Sequence, residues 1–338
     1  MALNSTTFLE MGGDELRQTD LLSEECLSLL IFPFFFWVFS FVFMAFEKAG
    51  VLQQYRLRTT AEEEKLNKVS PWDCAANVLG NQALEFAVGL VSMRLLGPSP
   101  LSEMWEGSPR WAALVALRCL AVAGLDVDRF AGKWSLSMHD FEETLVVYAK
   151  NYVVPAAQLL VAFFVADTWQ YFAHRFSHTN KFFYKHVHSW HHRLYAPYTF
   201  GAQYIHPAEA VLLDSIGNIL SLYASALSLK LSMIYSVLAA YNFIVDHCGY
   251  VFPYRILPTD CDTLFHDIHH QPWGLKVTES VMSLSGVTSN ADRGQSNYAV
   301  YFLFWDRLLG TLYRDREGAM KKYARARAAS KVPSPVRN

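Results

Sequence analysis

Nine histidines of this chain fall into three short motifs and one single position, at spacings that could bring their imidazoles together. One motif is H-x-x-x-H and two are copies of H-x-x-H-H, about 80 residues apart. Residues three or four positions apart share a face of a helix. The nine residues are His174, His178, His188, His191, His192, His247, His266, His269 and His270. Burying so many imidazoles beside apolar segments would be costly unless something binds them, and neutral imidazole is the commonest metal ligand. The motifs therefore predict a metal site, and the number of ligands suits two ions better than one.

The first motif, HRFSH, narrows the metal chemistry. It carries Arg175 where the HExxH motif of zinc proteases carries a general-base glutamate, which argues against a metalloprotease. Imidazole also suits iron, and a set with open positions can hold oxygen. We interpret His139 and His186, which lie outside the motifs, as ordinary surface or core residues.

Polar residues close to the motifs in sequence are candidates to orient the ligands through their spare ring nitrogens. For each acid among them, a solvated carboxylate is an equally good interpretation. The candidates are His206, Asp167, Asp246, Glu209 and Asp267. Trp190, Tyr198 and Trp273 flank the motifs, and packing in the core is the favoured role for each.

The composition indicates a membrane protein. Of 338 residues, 52% are hydrophobic and only 18% are charged, whereas about 25% is usual for soluble domains. A net charge of −2 argues against a nucleic-acid partner. The five cysteines include no CxxC pair, so we expect free and inert thiols.

Apolar segments predict the helices that cross the bilayer. Residues 26–46 are uncharged, long enough to span, and followed by a loop, 47–75, that is rich in Lys and Arg. This predicts an uncleaved first helix with the amino terminus outside the cytosol and the loop inside it. Further apolar segments are residues 83–97, 110–126, 144–166 and 210–245. If two of the first three cross, the histidines are cytosolic; if all three cross, they are lumenal. The basic tail after Tyr313 favours two crossings.

The apolar run 153–166 continues directly into the first motif, which places His174 and His178 just beyond the bilayer surface. The predicted fold is therefore all-α, an integral membrane helical bundle with a cytosol-facing helical metal domain built from the histidine motifs. The predicted organisation is an amino-terminal transmembrane and interfacial region, 1–150, a histidine domain, 151–313, and a basic cytosolic tail, 314–338.

The motifs and their order resemble the fatty acid hydroxylase superfamily of integral-membrane, histidine-rich di-iron oxygenases. The resemblance covers roughly residues 150–313 and includes DTWQYFAHRFSH, HSWHH, PYTFGAQYIHPAEA, VDHCGY, FHDIHH and FWDRLLGT. These segments are most similar to the sphinganine C4-hydroxylase branch. One departure is VTESVMSLSGVTSNADRGQ, residues 277–295, which looks like a surface insertion next to the third motif.

The resemblance implies that the nine histidines hold two iron ions and that O2 is used to hydroxylate the C4 methylene of a sphingoid base. It also implies electrons from NADH through cytochrome b5 and its reductase, a sphingoid base or ceramide substrate, and a multi-pass endoplasmic reticulum protein. Membrane lipids are expected partners and nucleic acid is not.

A desaturase or sterol methyl oxidase of the same superfamily is the first alternative, because the same oxidant starts hydroxylation and desaturation. A histidine-rich metal-binding or transport protein is the second. It is disfavoured because transporters bury ionisable groups midway along their spans, and these motifs lie at span ends.

Overall fold

The computed structural model describes residues 23–57, 66–124, 126–133, 137–254, 256–257, 259–271 and 297–330. The principal regular elements in these ranges are helices, and the one isolated β-bridge joins Arg56 to Tyr250. The helices are α1 (Glu24–Ala49), α2 (Pro71–Leu96), α3 (Ser102–Val122), α4 (Val127–Lys133), α5 (Met138–Tyr148), α6 (Val154–Thr179), α7 (Lys181–His186), α8 (Ile216–Ser225), α9 (Leu229–His247), α10 (Thr263–His270), α11 (Phe304–Leu308) and α12 (Arg316–Ser330). The all-α prediction is confirmed for this part of the chain.

Within the described residues, four helical segments are long and apolar enough to cross a membrane: Glu24–Ala49, Pro71–Leu96, Met138–Thr179 and Leu229–His247. The third is α5 and α6 joined through a π-helical turn, Ala149–Val153. Two of the four fall between residues 71 and 179, as the two-crossing interpretation requires, and α3 is not among them. The predicted insertion, 277–295, and the basic tail beyond residue 330 lie outside the described residues.

Local sequence fixes the ends of α1. Ser23 caps its amino end by accepting a hydrogen bond from the Cys26 amide at 3.3 Å, and two glutamates follow in the first turn. Gly50 ends the helix in the left-handed conformation at φ 66°, where glycine carries no Cβ penalty. Pro33 lies inside the helix, which continues through it to Ala49.

Packing of the long helices surrounds one hydrophobic interior. Helix α9 packs along α1, and α8 packs along α6. A Cβ on Gly217 would lie 2.8 Å from a Trp169 ring atom, so this glycine is what lets α8 approach α6 closely. The Trp169 indole also donates to the carbonyl of Leu212 at 2.8 Å, which holds α6 against the turn that precedes α8.

The loop between α1 and α2 lies at the same end of the bundle as the histidine motifs. The Lys68 amide donates to the Arg193 carbonyl at 2.9 Å, and the Leu57 amide donates to the Gly249 carbonyl at 2.9 Å. The Asn67 side chain donates to the Ala196 carbonyl at 2.9 Å. The described parts of this loop, 51–57 and 66–70, and the histidines therefore lie at one end of the bundle.

The carboxyl-terminal helix α12 packs against the third histidine motif. Ala319 and Tyr323 are buried in a small core with Leu264 and Ile268 of α10. Arg316 at the start of α12 forms an ion pair with Asp262, the residue that caps α10. The described part of the predicted tail is thus docked on the helix that carries a histidine motif.

Candidate metal centre

Four elements bring the nine histidines to one end of the bundle. His174 and His178 lie in the last turns of α6, and His247 is the last residue of α9. The second motif forms a 3-10 turn, His188–Arg193, and the third occupies the carboxyl half of α10. The convergence of these distant segments is what the motif spacing predicted.

Eight of the nine histidines form two groups of four. Within each group, the ring nitrogens that could bind a metal all lie within 4.8 Å of one another. Tetrad A consists of His174, His178, His188 and His269. Tetrad B consists of His191, His247, His266 and His270. Ring nitrogens converge in both: His178 Nε2 lies 2.7 Å from His188 Nε2, and His270 Nε2 lies 3.0 Å from His266 Nε2.

The ninth histidine, His192, lies between the tetrads. Its Nε2 is 3.1 Å from His188 Nε2 and 3.3 Å from His178 Nε2, both in tetrad A. Its ring centroid is 4.9 Å from that of His270 in tetrad B. His192 would therefore be a ligand for a metal held by tetrad A, and its ring also lies next to tetrad B.

The tetrads do not follow the sequence motifs. The second motif sends His188 to tetrad A and His191 to tetrad B. The third motif sends His269 to tetrad A, and His266 and His270 to tetrad B. The expectation that each triplet presents one shared face was wrong in this respect, because a 3-10 turn and a buried helix between two sites direct successive rings to opposite sides.

Hydrogen bonds fix the tautomers of several rings. The Nδ1 atoms of His174, His191 and His247 lie 3.0, 3.2 and 2.9 Å from the carbonyl oxygens of Tyr298, Tyr204 and Phe243. A carbonyl oxygen can only accept, so Nδ1 carries the proton in each ring and the lone pair is on Nε2. These side chains are thereby set to bind a metal through Nε2.

The electrostatics of the site favour neutral imidazoles. Burial lowers the pKa of His188 to about 3 and that of His191 to about 4. Burial and neighbouring histidines also hold the pKa of His192, His266 and His270 well below the usual value. Neutral imidazole is the form that binds metals, because a protonated ring has no lone pair to give.

One ring nitrogen of tetrad B is buried and free to donate its lone pair. His247 Nε2 is buried and has no hydrogen-bond partner among the described residues, although its Nδ1 is satisfied. A buried polar atom without a partner is rare in folded proteins. The donor set, the tautomers and this atom together fit a pair of first-row transition-metal ions.

Of the predicted orienting residues, Glu209 contacts a candidate ligand directly. Its Oε1 accepts from His188 Nδ1 at 2.5 Å, and both side chains are almost fully buried. Burial raises the pKa of Glu209 to about 7. His206 contacts the turn that carries Glu209. Its ring caps the turn Pro207–Glu209, and its carbonyl accepts from the Glu209 amide at 2.8 Å.

Asp167 also acts at a distance. It accepts hydrogen bonds from the backbone amides of Val300, Tyr301 and Phe302 at 3.0, 2.8 and 3.3 Å. It thereby holds the segment that supplies the Tyr298 carbonyl to His174. Asp306, which lies in the FWDRLLGT motif, holds the same segment through the amides of Tyr298 and Ala299.

The two remaining acids have other partners. Asp246 accepts from Asn242 Nδ2 at 3.0 Å. Asp267, on the helix of the third motif, accepts from the hydroxyl of Tyr323 on α12. Nothing in the sequence singled out Tyr323, which follows the last histidine motif by some 50 residues. Asp306 was assigned no role either, although it lies in the conspicuous segment FWDRLLGT.

The flanking aromatic residues pack as predicted. Trp190 lies edge-on to His206 at 4.8 Å, and Tyr198 stacks on Phe200 at 5.5 Å. Trp273 lies outside the described residues. His139 and His186 are exposed and belong to neither tetrad. All five cysteines are free thiols.

A cavity of 440 Å³ lies in the bundle between α1, α2, α6, α8 and α9. One end reaches the turn between α2 and α3 and the tip of the α8–α9 hairpin. Toward the other end, which we call the polar end, the polar lining residues include Gln82, Glu85, Gln170, Gln203, Asp214 and Ser215. Gln203 precedes Tyr204, and Phe243 itself lines the cavity, so its wall is built from segments that also orient histidines.

Fold and site together define a membrane-embedded helical protein with a histidine-rich metal centre. Residues 159–311 match the family model described as fatty acid hydroxylase. Hydroxylases that are more than 30% identical also align along most of its length, so the chain belongs to the fatty acid hydroxylase family.

Three relatives specify the branch. Sphingolipid C4-hydroxylase sur2 of Schizosaccharomyces pombe is 34% identical over 88% of this chain and 92% of its own length. Sphinganine C4-monooxygenase 1 of Arabidopsis thaliana is 31% identical over 86% of this chain and 88% of its own length. Very-long-chain aldehyde decarbonylase GL1-9 of Oryza sativa subsp. indica is 31% identical over 85% of this chain and 90% of its own length. No solved structure gives a significant match to the chain.

Proposed function

We propose that this protein hydroxylates C4 of a sphingoid long-chain base, converting sphinganine to phytosphingosine in sphingolipid biosynthesis. The observation that carries the proposal is the pair of histidine tetrads at one end of a bundle of long apolar helices that encloses a cavity. The names of the relatives from fission yeast and Arabidopsis support this substrate class.

The nine histidines are the proposed ligands of two iron ions. Tetrad A would hold one ion and tetrad B the other, with His192 between them. Bound iron would supply the activation of O2 that hydroxylation of an unactivated methylene requires. The protein's own part is to hold the rings in one tautomer, through the Tyr298, Tyr204 and Phe243 carbonyls and Glu209, and to exclude water around an alkyl chain.

External electrons complete the proposed reaction, because the sequence has no haem, flavin or nucleotide-binding motif. We propose NADH as their source, with cytochrome b5 and its reductase as the carriers. The proposed location is the endoplasmic reticulum membrane with the metal centre facing the cytosol. The basic composition of residues 47–75 supports this orientation, since the described residues Leu57 and Lys68 contact the segments that carry the histidine motifs.

Product analysis tests the proposal. The purified full-length protein, loaded with Fe²⁺ and supplied with NADH, cytochrome b5 and its reductase, is given sphinganine, and the product is analysed by mass spectrometry. Gain of one oxygen atom at C4 is the expected result. Loss of two hydrogens would instead identify a desaturase, and unchanged sphinganine together with an oxidised methylsterol would identify a sterol oxidase.

Aldehyde decarbonylation is a second candidate, favoured by the rice relative's name and its full-length similarity. The cavity argues for the hydroxylase, because two carboxylates and three amides line its polar end, whereas an aldehyde offers them no charge and no donor. Incubation with a long-chain aldehyde separates the two: an alkane product would support decarbonylation.

A further inference from the structure

The polar end of the cavity contains two carboxylates at a depth where charge is costly. Glu85 projects from α2, a candidate membrane span, and Asp214 from the π-helical turn before α8. Neither carboxylate forms an ion pair with any lysine, arginine or histidine that the structure describes. Ionisable groups within a membrane are expensive and usually mark a functional site with a specific partner.

A chain of amides joins the two acids and fixes their positions. Gln82 Nε2 donates to Gln203 Oε1 at 2.8 Å, and Gln203 Nε2 donates to Glu85 Oε2 at 3.1 Å. Gln203 also interacts with Asp214, whose Oδ1 accepts from Gln170 at 3.0 Å. The amides contribute hydrogen bonds but no positive charge, so two neighbouring carboxylates remain without a cation.

An independent observation points to a polar ligand at the same place. The hydroxyl of Ser215 lines the cavity, is buried, and has no hydrogen-bond partner among the described residues. The residue as a whole is 7% exposed. A ligand with both a cation and hydroxyl groups would satisfy the carboxylates and this serine together.

The rest of the cavity suits a long alkyl chain. From Gln82 to Leu96, the lining of α2 extends about 21 Å at 1.5 Å per residue, which exceeds the roughly 15 Å of one leaflet's hydrocarbon. Beyond Glu85 the lining along α2 is mainly apolar, with Phe86, Val88 and Met93. At the far end, the Ser99 hydroxyl donates to the Tyr223 carbonyl at 2.6 Å, joining the α2–α3 turn to α8.

We propose that Glu85 and Asp214 bind the protonated amine of a free sphingoid base, with Ser215 binding one of its hydroxyls. This rests on the proposed function and specifies its substrate: the free long-chain base rather than the N-acylated ceramide, whose amide carries no charge. C2, which carries the amine, and C4 are two bonds apart in such a base. A headgroup held at the polar end would therefore keep C4 near the tetrads, while the alkyl chain extends away from them.

The test compares two ligands that differ chiefly in charge, sphinganine and N-acetylsphinganine. Thermal unfolding of the purified full-length protein in detergent measures binding without requiring catalysis, because a ligand that binds the folded state raises Tm. Sphinganine is expected to raise Tm and to bind roughly 30-fold more tightly than its N-acetyl form, the factor typical of losing one buried charge pair. The E85Q/D214N double variant is expected to lose this preference.

Two further variants separate binding from folding. S215A removes a hydroxyl that has no hydrogen-bond partner among the described residues, so the unliganded Tm should stay the same while sphinganine binding weakens several-fold. E103Q changes an exposed glutamate of α3 and should alter neither Tm nor binding.

Equal binding of the two ligands by the wild-type protein, or full preference retained in E85Q/D214N, would overturn the proposal. If E85Q/D214N proves unstable, two measurements still test the proposal. They are sphinganine binding by S215A and the comparison of sphinganine with N-acetylsphinganine on the wild-type protein. Selective binding of sphinganine without any hydroxylated product would leave the headgroup site standing and refute the proposed hydroxylase activity instead.

Discussion

The division of each H-x-x-H-H motif between two tetrads makes a prediction that the sequence alone would reverse. Two substitutions within one tetrad should remove one ion, whereas two within one such motif should weaken both sites and empty neither. His188 and His269 belong to different motifs but share tetrad A, whereas His188 and His191 share a motif but belong to different tetrads. The variants H188A/H269A and H188A/H191A therefore distinguish grouping in space from grouping in sequence.

The size of the effect follows from the number of ligands. A four-ligand structural zinc site binds with about 10–16 kcal/mol, so one ligand contributes on the order of 3 kcal/mol, or roughly 100-fold in affinity. Loss of two ligands from one tetrad leaves two imidazoles, which is too few to retain an ion through purification. The other tetrad keeps all four of its histidines.

The assay is metal content per chain after reconstitution with Fe²⁺ and removal of unbound metal. We expect about two ions for the wild-type protein and one for H188A/H269A. H188A/H191A should keep two ions, each bound about 100-fold more weakly in a chelator titration, because each tetrad retains three histidines. H186A, which alters an exposed histidine outside both tetrads, is the control and should keep both ions. One ion in H188A/H191A and two in H188A/H269A would refute the assignment of ligands to tetrads.

Three further predictions concern residues that support the site. Substituting Glu209 by Gln removes the carboxylate charge beside His188 and should weaken metal binding about 10- to 100-fold in a chelator titration. Substituting Asp167 by Asn weakens the acceptor of three backbone amides and should lower the free energy of unfolding by about 1–3 kcal/mol, measured by thermal unfolding. Substituting Tyr323 by Phe removes its hydrogen bond to Asp267 and should speed proteolysis of α12 while leaving metal content unchanged.

Each of these has a matched comparison. E143Q alters an exposed glutamate of α5 and should leave chelator competition unchanged, so equal values for E143Q and E209Q would contradict the role of Glu209. An unfolding midpoint for D167N equal to that of the wild type would contradict the anchoring role of Asp167. For α12, proteolysis of Y323F at the wild-type rate would show that apolar contacts of Ala319 suffice.

The convergence of the histidines could be predicted from the sequence because imidazole spacing is a local signal. The helical character of the chain and the first span, 26–46, were equally accessible, since an uncharged apolar run of that length has few other interpretations. The partition into tetrads was not accessible. It depends on whether His188 starts a 3-10 turn or an α-helix, a choice made by tertiary packing and not by propensity.

Only some of the contacts that orient the histidine rings could be predicted from the sequence. Glu209 was found because it follows the second motif closely, but three Nδ1 acceptors are backbone carbonyls, whose function leaves no mark on residue type. The cavity was also beyond sequence reasoning. Glu85 and Asp214 are separated by more than 120 residues, and only folding shows that they line one space.

The joining of distant segments in tetrad A has a consequence for how the protein is made. His178 and His269 are 91 residues apart, yet their Nε2 atoms lie 3.1 Å from each other. A ribosome adding 5–20 residues per second needs roughly 5–18 s to pass from one to the other. Tetrad B likewise lacks His266 and His270 until that point. Neither tetrad can be completed before α10 has been synthesised, so loading of the proposed metal would follow synthesis of nearly the whole bundle and would lock the last helices onto the first.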